Sequence, residues 1–103
     1  FNQYADQDPS IFRNLTYLLV GGDVLNKERI MSVLECKYGS PKMLINGYGP
    51  TENTTFTTTY CITKKDKIHE NLPIGKPISN STVYILDEFL QPTPIGSIGE
   101  LYT

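Results

Sequence analysis

The chain has no tryptophan, one histidine and only two cysteines, and its nine Lys and Arg nearly balance eleven Asp and Glu, for a formal charge of −2. Each shortage excludes something. Without a basic surplus there is no electrostatic footprint for nucleic acid or for an acidic membrane surface. No apolar run approaches the roughly 20 residues that cross a bilayer, and no charged-then-apolar leader is seen. The expectation is a soluble, cytoplasmic protein with neither nucleic acid nor membrane as partner. Cys36 and Cys61 are too few for a disulfide scaffold and lack the spacing of a metal site, so free thiols are expected. His69, in the polar stretch "KKDKIHENLP", has no partner that sequence places for general-base work and reads as a solvated surface residue. The sequons at Asn14, Asn53 and Asn80 are read as products of an Asn- and Thr-rich composition.

What is present is one domain's length, 103 residues, that opens on Phe1 and stops at "GELYT", so a piece of something larger is expected. Leu15 to Val20 is a short apolar run ended by two glycines, which suits a strand buried on both faces. Asn26 can cap a helix from about Lys27 to Tyr38, with Glu28 in its first turn and Ile30, Met31, Val33, Leu34 and Tyr38 on one side. Gly39 ends that helix and Pro41 prevents a restart. Met43 to Ile45 again reads as a buried strand. Strand, helix and strand within about thirty residues form the parallel crossover of an α/β sheet. From Thr54 the pattern changes: "TTFTTTY", "STVYILDE" and "ELYT" read as strands, separated by a polar loop and by the turn chemistry of "QPTPIGSIG". The fold expected is α/β plus β: a parallel crossover over residues 1–56, then antiparallel strands of a β-barrel-like portion over 57–103.

Loops at the C-terminal ends of parallel strands line the crevice where ligands bind. Gly21-Gly22-Asp23 and Gly47-Tyr48-Gly49-Pro50-Thr51-Glu52 follow consecutive strands of one crossover and should emerge at the same edge. Glycine allows close approach of a flat ligand, and Pro50 stiffens the turn. Tyr48 offers a ring face of the kind that stacks on a nucleobase, and Asn46 offers the donor and acceptor an adenine edge requires. Thr51 has a hydroxyl for a phosphate oxygen, and Glu52 is a hard oxygen ligand suited to Mg²⁺ bridged to phosphate. The plain alternative is an ordinary tight turn with a surface carboxylate.

"NGYGPTE" resembles a core motif of the amino-acid adenylation domains of non-ribosomal peptide synthetases, within the adenylate-forming ligases. "LLVGGDVL" is similar to the family's preceding glycine-rich segment, and "PIGKPISNSTVYILDEFLQPTPIGSIGELY" to the stretch that leads to its "GEL" motif, so nearly the whole chain lies along the family in order. The resemblance implies an internal part of an enzyme that condenses an amino acid with ATP to an aminoacyl-adenylate, then loads the acyl group onto the phosphopantetheine arm of a carrier domain. It implies ATP/AMP and Mg as cofactors, and the rest of the adenylation domain with carrier and condensation domains as partners. Carried over, Tyr48 stacks on adenine, Asn46 bonds its exocyclic amine and Gly22 lines the base. Thr51 contacts the α-phosphate and Glu52 holds the magnesium. Leu19, Gly21, Gly47, Thr55 and Phe56 match substrate-pocket positions, the two glycines leaving room at the walls and Phe56 filling part of the floor. Core packing is the plain reading of Leu19 and Phe56.

Asp23 stands where relatives often carry Glu or a small residue, and no role attaches to it. The family's phosphate loop, its pocket and ribose aspartates and its catalytic lysine have no counterpart in this chain, so the polypeptide alone is expected to be inactive. Two alternatives stay open: a fragment of another adenylate-forming acyl- or aryl-CoA ligase, and a small secreted β-rich binding module with Cys36 paired to Cys61.

Overall fold

A computed structural model describes residues 1–65 and 72–103. His69 and most of its polar loop lie outside the described residues. In chain order the elements are helix α1 (Asn2–Gln7), a 3₁₀ turn (Pro9–Phe12), strand β1 (Tyr17–Gly21), helix α2 (Lys27–Leu34), strand β2 (Met43–Tyr48), a second 3₁₀ turn (Thr51–Asn53), and strands β3 (Thr58–Ile62), β4 (Lys76–Pro77), β5 (Tyr84–Leu86) and β6 (Glu100–Tyr102).

The crossover forms as its pattern dictates. Strands β1 and β2 pair in parallel, with Leu18 opposite Leu44, Val20 opposite Asn46 and Gly21 opposite Gly47. The Asn26 side chain accepts the Arg29 N–H at 3.0 Å, satisfying one of the amides a helix start leaves without a partner. Helix α2 buries Ile30, Val33 and Leu34 against the sheet face that carries Val20, Leu44 and Ile62; each such side chain contributes about 1.5–3 kcal/mol. Helix α1 and the first 3₁₀ turn add Ala5, Phe1 and Phe12 to this core.

The helix is shorter than its apolar spacing indicates. It stops at Leu34, Glu35 donates its N–H to the Met31 carbonyl, and Tyr38 lies outside the core at 66% exposure beneath the Lys37 ammonium. Eight residues at 1.5 Å rise, about 12 Å, already return the chain most of the way along a five-residue strand. The Lys42 and Met43 amides then bind the Leu15 and Thr16 carbonyls to start β2. Neither strand of the crossover is buried on both faces as the apolar runs suggest: Tyr17 and Leu19 are 58% and 49% exposed, because α2 covers only one face of the sheet. Strand β2 runs three residues past Ile45, since β3 pairs with it antiparallel and takes up Asn46, Gly47 and Tyr48 opposite Tyr60, Thr59 and Thr58.

Strand β4 extends this sheet to the order β1-β2-β3-β4, with Pro77 on the outer edge where its missing N–H breaks no ladder. The sheet thus continues from the first portion, 1–56, into the second, 57–103, through the pairing of β2 with β3. Strands β5 and β6 form a separate antiparallel pair, and among the described residues no barrel closes. Strand β5 is three residues long because the Asp87 carboxylate accepts the Phe89 and Gln91 amides at 2.9 Å, turning the chain out of the ladder.

Candidate functional site

Parallel pairing brings the C-terminal ends of β1 and β2 side by side, and a cavity of about 510 Å³ opens there. That volume lies in the ordinary range for small-molecule sites. Its walls are residues 22–25 after β1, residues 46–49 at the end of β2, and Leu72 and Ile74. Gly22, Asn46 and Tyr48, the three residues matched to adenine binding, therefore face one space. Gly22 has φ +89°, a conformation open to glycine and strained for other residues, which turns the chain over the cavity.

Asn46 is only 7% exposed, and its Nδ2 donates to the Pro73 carbonyl at 2.8 Å. A carbonyl at that distance needs a donor, so the amide orientation is fixed and Oδ1 is left as the acceptor. An acceptor is what an exocyclic amine requires. Tyr48, two residues on and on the same face, is 39% exposed, so its ring is available to a ligand.

Thr51 and Glu52 do not line the cavity. They sit exposed on the second 3₁₀ turn, just beyond Tyr48, closed by Asn53 N–H to Pro50 O at 3.0 Å and Thr54 N–H to Thr51 O at 3.1 Å. Among the described residues no three His, Cys, Asp or Glu side chains gather as a metal cage. One exposed carboxylate fits a magnesium ion carried in by phosphates, which keeps most of its ligands from water and nucleotide.

Four of the five residues matched to the substrate pocket, Leu19, Gly21, Gly47 and Phe56, occupy the other side of the sheet. Alternation along β1 and β2 puts Leu19, Gly21 and Gly47 on the face opposite Val20, Asn46 and Tyr48. The Phe56 ring lies over Gly47: a Cβ there would come within 2.5–2.8 Å of three ring carbons. A Cβ on Gly21 would overlap the Gly47 carbonyl oxygen and come 3.2 Å from the same ring. Thr55 is exposed on the loop and does not join that face. The Gly47 backbone borders the cavity as well, so one strand separates the two regions.

Reasoning from sequence missed part of the cavity wall. Leu72 and Ile74 line it and Pro73 orients Asn46, yet none of the three lies in either strand-end glycine loop, and Asp23, Val24 and Leu25, within "LLVGGDVL", line it although no role was attached to them. The only available signal was the position of residues 72–74 just before "GKPI". Asp23 accepts the Val24 N–H at 2.7 Å, a local turn contact. Cys36 and Cys61 are both free, as composition indicates, which leaves the disulfide-bridged binding module without support.

The family profile described as AMP-binding enzyme matches residues 2–103. The chain belongs to the AMP-binding enzyme family. This AMP-binding segment is 50% identical over 102 residues to tyrocidine synthase 3 of Brevibacillus parabrevis, covering 98% of this chain and 2% of the synthase. It is 48% identical over 102 residues to gramicidin S synthase 2 of Brevibacillus brevis, over 98% of this chain and 2% of that protein. Among solved structures it superposes with a TM-score of 0.86 on holo-PA1221, an NRPS protein containing adenylation and PCP domains bound to a vinylsulfonamide inhibitor, at 39% identity over 97% of this chain and 17% of that one. The Klebsiella oxytoca NpsA N-terminal subdomain shares the fold at TM-score 0.80 and 23% identity. The segment thus spans a small part of each relative's length.

Proposed function

We propose that the protein carrying this segment activates an amino acid with ATP as an aminoacyl-adenylate and passes it to a phosphopantetheine-bearing carrier domain in non-ribosomal peptide synthesis. The observation that carries the reading is the division of the β2 end. Asn46, Tyr48 and Gly22 share a cavity on one face, Leu19, Gly21, Gly47 and Phe56 share the other, and Thr51 and Glu52 follow directly.

On this reading Tyr48 stacks on adenine, the Asn46 Oδ1 accepts from its amine and Gly22 admits the base. Thr51 donates to the α-phosphate. Leu19, Gly21, Gly47, Phe56 and the neighbouring Thr55 bound the amino-acid side. The electrostatic difficulty is that a carboxylate must approach an anionic phosphate, and fixed donors together with a cation are what lower that barrier. Glu52 would hold Mg²⁺, which when bound supplies the positive charge that offsets the phosphates. The uncovered sheet face with Tyr17 and Leu19 is then where the rest of the adenylation domain packs, with carrier and condensation domains beyond it in a cytoplasmic synthetase. The segment by itself is inactive on this reading.

The test is amino-acid-dependent ATP–pyrophosphate exchange by the full protein. Glu52→Gln should lower the rate about a hundredfold or more, the scale for loss of one group acting on transition-state charge. An unchanged rate would remove Glu52 from the mechanism.

A further inference from the structure

Two residues, Asn53 and Thr54, join the proposed phosphate residues to the proposed amino-acid wall, and both are held in unusual ways. Thr54 has φ +69° and ψ −55°, and the next amide, Thr55 N–H, donates to the Asn53 carbonyl at 2.8 Å. This is the γ-turn with positive φ, a rare and strained form. For a β-branched residue, positive φ is sterically costly. Strain of this kind persists only where the surroundings fix it, and it concentrates at ligand sites.

The surroundings that fix it are visible. Asn53 Nδ2 donates to Thr57 Oγ1 at 2.6 Å. Thr57 is fully buried, donates its N–H to the Tyr48 carbonyl at 2.7 Å and accepts the Ile78 N–H on its own carbonyl at 3.0 Å. Asn53 is therefore tied to the residue that also anchors the strand bearing Tyr48. Gly49 seats the Thr55 carbonyl and the Phe56 and Thr57 backbone so closely that a Cβ would overlap them. The turn reverses the chain so that Phe56 lands on Gly47, while Thr51 and Glu52 stay on the outer side.

We propose that Asn53 and Thr54 are positioning residues: the strained turn at Thr54, latched by the Asn53–Thr57 hydrogen bond, holds the nucleotide side and the amino-acid side of the site in one rigid register. The inference rests on the functional reading above, and it makes affinity for the two substrates rise and fall together. A flexible connection would let either side move alone.

The experiment uses the full-length protein with Asn53→Ala, Thr54→Gly and the double variant. Readouts are KM for ATP and for the amino acid against kcat in pyrophosphate exchange, affinity for a non-hydrolysable ATP analogue by calorimetry, and thermal midpoint. Glycine adopts the turn without strain and also opens other backbone conformations to residue 54, so Thr54→Gly should keep or raise the thermal midpoint while loosening the turn. Both KM values should nevertheless rise together by about three- to tenfold, the scale of one neutral hydrogen bond, with weaker analogue binding. Asn53→Ala should show the same paired rise, and the double variant little more than either single one. Unchanged KM values and analogue affinity in both single variants, a thermal loss alone, or a change confined to one substrate would overturn the latch while leaving the functional reading in place. No amino-acid-dependent exchange in the unaltered protein would overturn that reading and the latch with it.

Discussion

Replacing Gly47 by alanine tests whether the Phe56 ring defines the wall opposite the proposed nucleotide cavity. The new Cβ would meet three ring carbons at 2.5, 2.6 and 2.8 Å, all inside van der Waals contact. The Phe56 backbone cannot shift along the strand to relieve this, because the Gly49 backbone packs against the Phe56 Cα and the adjacent amide. Overpacking of this kind costs about 1–3 kcal/mol. Phe56→Leu removes the ring carbons and leaves room for the methyl. Gly47→Ala alone should therefore destabilise the adenylation domain by that amount in urea denaturation, Phe56→Leu alone should leave a void at smaller cost, and the double variant should recover part of the loss. Contacting residues couple by about 0.5–3 kcal/mol, whereas independent ones add within roughly 0.5 kcal/mol. Additive effects would refute the claim that the ring sits on Gly47. The exchange assay gives a second reading on the same proteins: the KM for the amino acid should change with the wall, and the KM for ATP much less.

Tyr48→Ala should raise the KM for ATP about 5- to 150-fold, the effect of losing one stacking partner worth 1–3 kcal/mol, with Tyr48→Phe near the unaltered value. Thr58 is 1% exposed and its hydroxyl has no partner among the described residues, so Thr58→Val should be neutral or stabilising by denaturation; a loss above about 1 kcal/mol would mean the hydroxyl is bonded. Asn26→Ala should cost about 1 kcal/mol through the lost helix cap, and Asn26→Asp very little. The Arg29 guanidinium, bound to both Asp6 carboxylate oxygens, holds the Asp6 carboxyl below its ordinary value. Stability from that pair is present above the unfolded pKa, near 3.9, and lost as pH falls through the lower folded value, so Asp6→Asn should flatten the decline in thermal midpoint below about pH 4.

The parts legible in sequence were those governed by nearest neighbours. Asn26 marked a helix start because the cap is a contact three residues long, and the two glycine-containing strand ends fell together because the crossover leaves no other parallel arrangement. What stayed hidden depended on distant partners. Helix α1 buries only Ala5 and has no apolar stripe; it is seated by Ala5 in the core beside Phe1 and Phe12, with the exposed Arg29–Asp6 ion pair joining it to α2 across 23 residues. Asn46 to Tyr48 looked like loop because glycine and asparagine are poor strand formers, and pairing with β3 overrides that preference. The strand "STVYILDE" is limited to Tyr84–Leu86 by its distant partner β6, which pairs with those three residues alone, and Asp87 turns the chain just after them.

The proposed division of β2 into two ligand sides gives its register unusual weight. A slip of one residue against β3 would carry Asn46 and Tyr48 to the Phe56 face and Gly47 to the cavity face, because side chains alternate with period two. Glycine-containing strands resist such slips poorly, so the register must be pinned from outside the β2 side chains. Three close approaches do this. Gly21 and Gly47 face each other too tightly for any side chain, which fixes β2 against β1. The Thr57 N–H on the Tyr48 carbonyl fixes β2 against the start of β3. Gly75, at φ +85°, lies on the Thr59 carbonyl and fixes β3 against β4. Substitution at Gly21 or Gly75 is therefore expected to disturb the binding of both substrates, although neither residue lines the cavity, whereas substitution at Gly22, with no atom near its Cβ position, would act through its positive φ and the cavity that it lines.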